Sequence, residues 1–150
     1  MSTKIKVGVQ QTDTSKDLAL PKYMTKDSAG MDLYAAVEDE VKICKGKIML
    51  IPTGIKIAIP KGYEAQIRPR SGLALKHGIS LVNTPGTIDS DYRGEIKIIM
   101  INFGEEDFIV RRGERVAQMV INKIEQIEWQ IKDELSDSTR AHGGFGHTGK

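Results

Sequence analysis

The chain has 150 residues, of which 39% are hydrophobic and 28% are charged, a composition typical of one globular domain. Its 22 Lys and Arg against 20 Asp and Glu give a net charge of +2, so nothing indicates binding to nucleic acid or to a membrane. A single cysteine excludes an intrachain disulfide, and three scattered histidines argue against zinc. Without a membrane-spanning run or a signal-peptide pattern, we expect a cytoplasmic protein.

Short apolar runs recur along the chain, and most of them alternate with period two, as half-buried strands do. Gly- and Pro-rich turn signals separate them. Many short strands with this punctuation favour an all-β sandwich, barrel or jelly roll. The predicted strands are IKVGV (5–9), KIMLI (47–51), IKIAI (55–59), ISLV (79–82), EIKIIMI (95–101) and VAQMVI (116–121).

Helical signals are few. SGLALKHG predicts one short helix over 71–77, with Ser71 as its N-cap and Gly78 as its stop. The segment 121–131 fits both a helical stripe and an alternation, and we predict a strand. From Ser136 onward the chain is Gly-rich with little to bury, which divides it into a domain, 1–135, and a flexible C-terminal arm, 136–150.

One polar cluster precedes the predicted helix in sequence, and a second cluster contains it. Asp32 stands beside Gly30 in SAGMDLYAA, either as a turn residue or as a carboxylate for Mg²⁺, bound directly or through the waters of the metal. RPRSGLALKHG places Arg70 next to Ser71 at the start of the helix. Arginine forks and helix N-termini both favour anions, although a solvated basic loop is the alternative. The lone cysteine, Cys44, reads as a small buried residue.

The next two clusters lie in the second half of the chain. NTPGTIDSDYRGEI carries Asp89 and Tyr92, and a carboxylate beside an aromatic ring suits sugar recognition and activation of a water molecule. The alternative is a charged turn, where Asp and Gly are common. RRGERVAQMV joins a basic turn to a strand, in which Gln118 faces away from Val116 and Val120 only if the strand twists or bulges.

The fifth cluster is GGFGHTGK, which contains a GxxxxGK pattern from Gly144 to Lys150. We reject a phosphate loop there because the pattern also needs a following Ser or Thr and a helix. What remains is a Gly-rich tail carrying Phe145. Such a tail would either fold over a ligand or stay disordered.

These five clusters, in this order, resemble the five sequence motifs of trimeric dUTPases, and together they span residues 29–149. The resemblance implies a distorted jelly-roll β-barrel and a homotrimer with three active sites at subunit boundaries, each closed by a C-terminal arm. It also implies hydrolysis of dUTP to dUMP and pyrophosphate with Mg²⁺. That reaction limits uracil incorporation into DNA and supplies dUMP for dTTP synthesis.

The resemblance also assigns roles to residues. Asp89 would bond the 3′-OH and act as general base, and Asp32 would hold Mg²⁺ through water. Asn83 would bond the uracil edge in a pocket too narrow for the methyl group of thymine, while Tyr92 would leave no room for a ribose 2′-OH. The predicted substrate contacts are Arg70, Ser71, Gly72, Asn83, Gly86, Thr87, Ile88, Tyr92, Lys97, Met100, Gln118, Arg140, Phe145, Gly146, His147 and Thr148.

Within that set, the arm of another subunit would bring Arg140 to the phosphates and Phe145 over the uracil. Arg68 and Arg112 would join only if their turns face the site, and Asp91 and Glu95 are expected to be structural. The arm departs from the family pattern at Ala141, where Gly is common, and at His147, where Ser is frequent. An imidazole there predicts phosphate binding that depends on pH near about 6.5.

Two rival functions share the scaffold. A dCTP deaminase needs an acid placed at C4 of the pyrimidine and usually lacks the GGFG arm, and this sequence offers no clear acid but has the arm. The second rival is a non-enzymatic regulator that binds a protein partner. Loss of Asp89 or Tyr92 would indicate such a regulator, and both residues are present.

Overall fold

The structure is a computed structural model, and it describes residues 4–146. Regular structure in that range consists of strands, one α-helix (α1, Ser71–His77) and one 3-10 helix (Asp13–Ser15). The strands are β1 (Gly8–Gln11), β2 (Gly30–Tyr34), β3 (Val41–Ile43), β4 (Ile48–Pro52), β5 (Ile55–Ala58), β6 (Tyr63–Arg68), β7 (Ile79–Leu81), β8 (Gly86–Ile88), β9 (Lys97–Asn102), β10 (Phe108–Val110) and β11 (Arg115–Lys123).

The strands form four antiparallel sheets. The largest has the order β2-β11-β6-β8, the second has the order β4-β9-β7, and two-stranded sheets are formed by β1 with β5 and by β3 with β10. Neighbours in a sheet are often far apart in sequence, so the sheets tie distant motifs together. The predicted all-β class is confirmed.

Alternation along the strands determines which side chains enter the core. In β5 the side chains of Ile55 and Ile57 are buried, and in β9 those of Ile98 and Met100 are buried, while their neighbours are more exposed. Burial of one such side chain contributes roughly 1.5–3 kcal/mol. A register shift of one residue would turn these side chains outward, so the core fixes the pairing of the strands.

The ends of α1 differ in how well the sequence predicts them. Gly78 ends the helix as predicted, with φ of 66° and its N–H bonded to the carbonyl of Ala74 at 3.0 Å. The predicted N-cap is wrong: Arg70 takes that place with an extended backbone, and no side chain caps the helix. Ser71 is already the first helical residue, and the Arg70 carbonyl accepts the N–H of Ala74.

Two further expectations are wrong. The strand predicted over 121–131 ends at Lys123, because after the bond from Ile124 N–H to the Gly62 carbonyl the segment pairs with no strand of residues 4–146. Cys44 is exposed rather than buried, since it follows β3, where Ile43 takes the position that faces the core. Among residues 4–146, no helix is both long enough and apolar enough to cross a membrane.

One buried side chain is polar and fully bonded. Asn102, at the end of β9, has no exposed surface, and its Nδ2 donates to the carbonyls of Ile43 (2.9 Å) and Glu106 (2.8 Å). Its Oδ1 accepts the N–H of Gly104 at 2.8 Å. Asn102 therefore joins β9 to β3 and to the loop that precedes β10.

A second junction lies at Gly54, between β4 and β5. Its carbonyl accepts the N–H of Thr12 at 2.8 Å and the hydroxyl of Ser15 at 2.7 Å. Gly54 has φ of 71°, and a Cβ there would overlap the side chain of Ser15. The turn after β1 is thus fixed directly on the backbone of the β4–β5 connection.

Candidate active site

The largest sheet aligns three of the motif residues in one row. Asp32 of β2 lies opposite Gln118 of β11, and Gln118 lies opposite Arg68 of β6. The register of β11 against β2 shifts between Arg115 and Ala117, which is the irregularity needed to turn Gln118 away from the core. Gln118 is partly exposed, and its Nε2 donates to the carbonyl of Pro69 at 2.9 Å.

Two arginines converge on the carboxylate at one end of this row. The Nε atom of Arg70 lies 3.2 Å from Oδ1 of Asp32, and Nη1 of Arg115 lies 3.3 Å from Oδ2. Nη1 of Arg70 also donates to the carbonyl of Arg115 at 3.0 Å. The result is a compact cluster of two guanidinium groups and one carboxylate, directly before the first turn of α1.

Sequence reasoning missed Arg115, because the motif RRGERVAQMV contains three arginines and the turn decides where each one points. Arg112 points away from the cluster: it bonds the carbonyls of Val37 and Thr14 and forms an ion pair with Asp17. Its hydrogen bonds hold the pKa of Asp17 below the usual value of 3.8. Arg112 is therefore a structural residue.

The exposed start of α1 lies next to this cluster. Ser71 and Gly72 are both exposed, and neither a side-chain cap nor a packed neighbour covers them within the described range. A cavity of about 900 Å³ extends from Arg70 and Arg115 along α1 to His77 and Phe108. Arg68 turns the other way along the sheet, and its Nη2 donates to the side chain of Gln66 at 2.8 Å.

The segment between β7 and β9 forms the second part of the site. Asn83 is exposed, and its side-chain amide lies against Gly86, where an added Cβ would come within 3.1 Å of Nδ2. Thr87 is exposed and Ile88 is partly buried, and β8 lies at the edge of the largest sheet with β6 as its neighbour. The Asn83 amide lies this close to the backbone of β8 because residue 86 has no side chain.

Beyond β8 the chain turns sharply at an exposed tip. Asp89 is exposed, and it lines a cavity of about 680 Å³ whose walls include Lys61 and Gln126. Tyr92 is 44% exposed, with its hydroxyl bonded to the carbonyl of Glu95 at 3.0 Å. The predicted base and the predicted sugar contact therefore share one turn, with solvent access to both.

Asp89 and the arginine cluster lie towards opposite ends of β6. Gly86 is opposite Ile67 and Ile88 is opposite Ala65, so the chain moves away from Arg68 as it approaches Asp89. Asp89 thus reaches the level of residue 64, about 13 Å along the strand from the row at residue 68, at about 3.3 Å per residue. One protomer does not bring Asp89 to the Asp32–Arg70–Arg115 cluster.

Two other predicted contacts lie in β9. Lys97 is exposed, with its Nζ 3.9 Å from the carboxylate of Glu95. Met100 has no exposed surface and belongs to the core. Its predicted contact with substrate is not supported, because its side chain is enclosed by the sheet and offers no surface to a ligand.

The described part of the arm forms a turn of its own. Nε of Arg140 donates to the carbonyl of Gly143 at 2.7 Å, and Ala141 and Phe145 both have positive φ, at 43° and 44°. Phe145 is fully exposed and Gly146 follows it with φ of 93°. His147 and Thr148 lie outside the described residues, so their predicted roles stay predictions.

Candidate metal ligands are sparse. Within residues 4–146, no three His, Cys, Asp or Glu side chains are grouped in a way that would hold a metal ion. Asp32 is a single carboxylate, 20% exposed, beside two guanidinium groups that attract phosphate. Asp32 would hold Mg²⁺ through the waters of the metal, since Mg²⁺ commonly keeps several waters and binds one or two carboxylates.

Comparison with known proteins agrees with this architecture. The dUTPase family model matches residues 16–149. A deoxyuridine 5′-triphosphate nucleotidohydrolase from Thermoanaerobacter sp. (strain X514) is 60% identical over 141 residues, covering 94% of this chain and 95% of the relative. One from Maricaulis maris (strain MCS10) is 56% identical over 151 residues and covers 99% of both.

Solved structures agree in the same way. The Staphylococcus bacteriophage 80alpha dUTPase with dUPNHPP has a TM-score of 0.87 and 25% identity, covering 98% of this chain and 100% of its own. A mutant dUTPase from the S. aureus phage phi11, described with a structural Mg(II) ion, has a TM-score of 0.78 at 21% identity, covering 89% of this chain and all of its own, a likeness of fold.

The fold is thus an all-β fold of the jelly-roll type, as predicted, with a cluster of two arginines around Asp32 at the start of α1. The chain belongs to the dUTPase family.

Proposed function

We propose that the protein is a dUTP diphosphatase, which hydrolyses dUTP to dUMP and pyrophosphate. The observation that carries the proposal is the Asp32–Arg70–Arg115 cluster, placed at the exposed start of α1 in a chain of this family. It offers the donors that a polyanionic triphosphate needs, and a separate tip offers the groups that a nucleoside needs. No feature of the described residues favours the deaminase.

The phosphates would bind at the guanidinium end. Arg70 and Arg115 present forked N–H donors that match phosphate oxygens, and they are 26% and 43% exposed. Gln118 lies in the same row, and the first turn of α1 adds the hydroxyl of Ser71 and the backbone of Gly72. Because charge moves onto the leaving pyrophosphate, donors fixed here would stabilise the transition state more than the bound substrate.

The nucleoside would bind along Asn83, β8 and the tip that follows β8. Asn83 and the backbone of 86–88 would bond the uracil edge, and the ring of Tyr92 would pack against the deoxyribose. Asp89 would orient a water molecule and accept its proton as the oxygen attacks the α-phosphorus. The bond from the α-phosphorus to the bridging oxygen breaks, and pyrophosphate leaves.

Asp32 would hold Mg²⁺ through the waters of the metal. When bound, the ion neutralises charge on the phosphate oxygens. The carboxylate has a second task that needs no metal: it pairs with Arg70 and Arg115, and so sets the direction of both guanidinium groups.

A complete site would require more than one chain, and we propose a homotrimer. The strand register holds Asp89 away from the arginine cluster, so another protomer would have to supply one of the two. Exposed apolar side chains mark surface for such contacts, including Ile48 and Leu50 in β4 and Trp129 and Ile131 beyond β11. The arm, 136–150, would close the site of another subunit through Arg140, Phe145, Gly146, His147 and Thr148.

The assembly can be tested by complementation. Asp89→Asn removes the base, and truncation before Arg140 removes the arm, so each homotrimer should be almost inactive. If base and arm come from different chains, mixed trimers formed by refolding the two variants together should regain part of the activity. Two inactive variants that stay inactive after mixing, with mass measurements showing mixed trimers, would place both groups in one chain.

The reaction is tested by pyrophosphate release with Mg²⁺ from dUTP, dTTP, dCTP and UTP, measured side by side. We expect release from dUTP alone. Ammonia from dCTP would instead identify the deaminase, and silence with all four nucleotides would identify a binding scaffold. We place the reaction in the cytoplasm, where the substrate is a free nucleotide and the lone Cys44 stays reduced.

A further inference from the structure

The tip between Asp89 and Glu95 holds its tyrosine with main-chain groups. The hydroxyl of Tyr92 donates to the carbonyl of Glu95 at 3.0 Å, and the N–H of Tyr92 donates to the carbonyl of Asp89 at 3.1 Å. The ring crosses Gly94 so closely that a Cβ on residue 94 would overlap the ring and its hydroxyl. Because Tyr92 is 44% exposed, its position depends on these contacts rather than on the core.

The side chain of Glu95 is bonded outside the tip. Its Oε1 accepts the N–H of Gly54 at 2.9 Å, and the side chain is only 21% exposed. The next residue, Ile96, is buried, donates its N–H to the carbonyl of Ile55 at 2.9 Å and accepts the hydroxyl of Thr53. The carbonyl that holds Tyr92 is therefore fixed on the β4–β5 connection.

The remaining side-chain bonds of the tip close it on itself. Nη1 of Arg93 donates to the carbonyls of Ser90 (2.7 Å) and Tyr92 (2.9 Å). Such bonds preserve the shape of the tip but do not set its position against the rest of the protein. The hydrogen bond between the Gly54 N–H and Glu95 does set the position of the tip, because it joins residues 41 positions apart.

We propose that Glu95 is the positioning residue for sugar selectivity, acting through Tyr92. The inference rests on the proposed function, in which the Tyr92 ring packs against the deoxyribose. The Tyr92 ring can exclude a ribose 2′-OH only if the ring moves by less than the width of a hydroxyl group, so the ring needs a rigid support. The Glu95 carboxylate would supply this support by fixing the carbonyl to which the phenol is bonded, with Gly94 leaving the space for the ring.

The test compares kcat/KM for dUTP with kcat/KM for UTP in four variants. In Glu95→Ala, we expect the dUTP/UTP ratio to fall by about tenfold, mainly through a gain with UTP, since one partly buried hydrogen bond is lost. Glu95→Gln should keep the ratio, because its amide oxygen still accepts the Gly54 N–H. Tyr92→Phe should lower the ratio while retaining the ring. Asp91→Ala, which removes an acid from the same tip, should leave the ratio unchanged.

A wild-type ratio in Glu95→Ala would overturn the proposal. The same ratio in Tyr92→Phe would also overturn it, because the phenol would then need no carbonyl to hold it. If Glu95→Ala does not fold, Tyr92→Phe decides the question at an exposed position. Failure of the unmodified protein to release pyrophosphate from dUTP would overturn the proposed function instead, which keeps the two failures distinct.

Discussion

Replacement of Asn102 by alanine tests whether one buried amide holds the sheets together. The variant would lose three hydrogen bonds, from Nδ2 to the carbonyls of Ile43 and Glu106 and from the Gly104 N–H to Oδ1. Each bond contributes about 1 kcal/mol net, and the Ile43 carbonyl would be left buried without this donor. Water can reach the Glu106 and Gly104 groups, which are not buried. We therefore expect a loss of about 2–4 kcal/mol in the free energy of unfolding.

Asn122 provides a control with the same chemistry. Its Nδ2 atom is buried, yet it finds no acceptor among the described residues. Alanine at this position removes an unsatisfied donor, so Asn122→Ala should cost less than about 1 kcal/mol or even stabilise the protein. The contrast between the two asparagines separates the worth of the bonds from the general effect of shortening a side chain.

Urea unfolding at one fixed protein concentration measures both variants, because the stability of an oligomer depends on the concentration of its protomers. The midpoint should fall for Asn102→Ala with an unchanged slope. A loss below about 1 kcal/mol, or a loss equal to that of Asn122→Ala, would refute the reasoning that the three bonds support the fold.

Two other predictions concern backbone conformation and pH. Gly78→Ala should destabilise by more than Gly46→Ala, since both have positive φ but only at 78 would a Cβ meet backbone, 2.6 Å from the Gly104 nitrogen; equal losses in thermal unfolding would contradict this. Arg112 lowers the pKa of Asp17, so the pair stabilises fully above pH 3.8 and less as pH falls through the lowered pKa. The difference in unfolding midpoint between the unmodified protein and Asp17→Asn should therefore close on acidification.

Strand positions could be predicted from the sequence where one face of a strand is buried. The alternation in 55–59 and 95–101 corresponds to β5 and β9, whose registers depend on the same isoleucines that create the pattern. The pattern over 121–131 misled because its alternating residues, Ile127, Trp129 and Ile131, join no sheet within the described residues. Ile127 and Ile131 are 70% and 97% exposed in the protomer, and a sequence does not say whether a partner for such residues lies in the same chain.

The site was predictable in its parts but not in its assembly. The motifs identify Asp32, Arg70 and Asp89, yet the ion pairs to Asp32 depend on a turn that sends Arg112 to Asp17 and leaves Arg115 facing the carboxylate. No rule of spacing distinguishes among the arginines of that turn. The division of the chain into a domain, 1–135, and an arm, 136–150, stays a prediction.

The junction at Gly54 has a consequence for how local unfolding would spread through this protein. Its carbonyl holds the turn at Thr12 and Ser15, while its N–H donates to Glu95, so one residue links the turn after the first strand to the tip that carries Tyr92. Local unfolding that begins at the first strand would loosen the tip before it disturbs the arginine cluster. Because the same tip carries Asp89, a heated or partly proteolysed sample would lose turnover of dUTP together with discrimination against UTP.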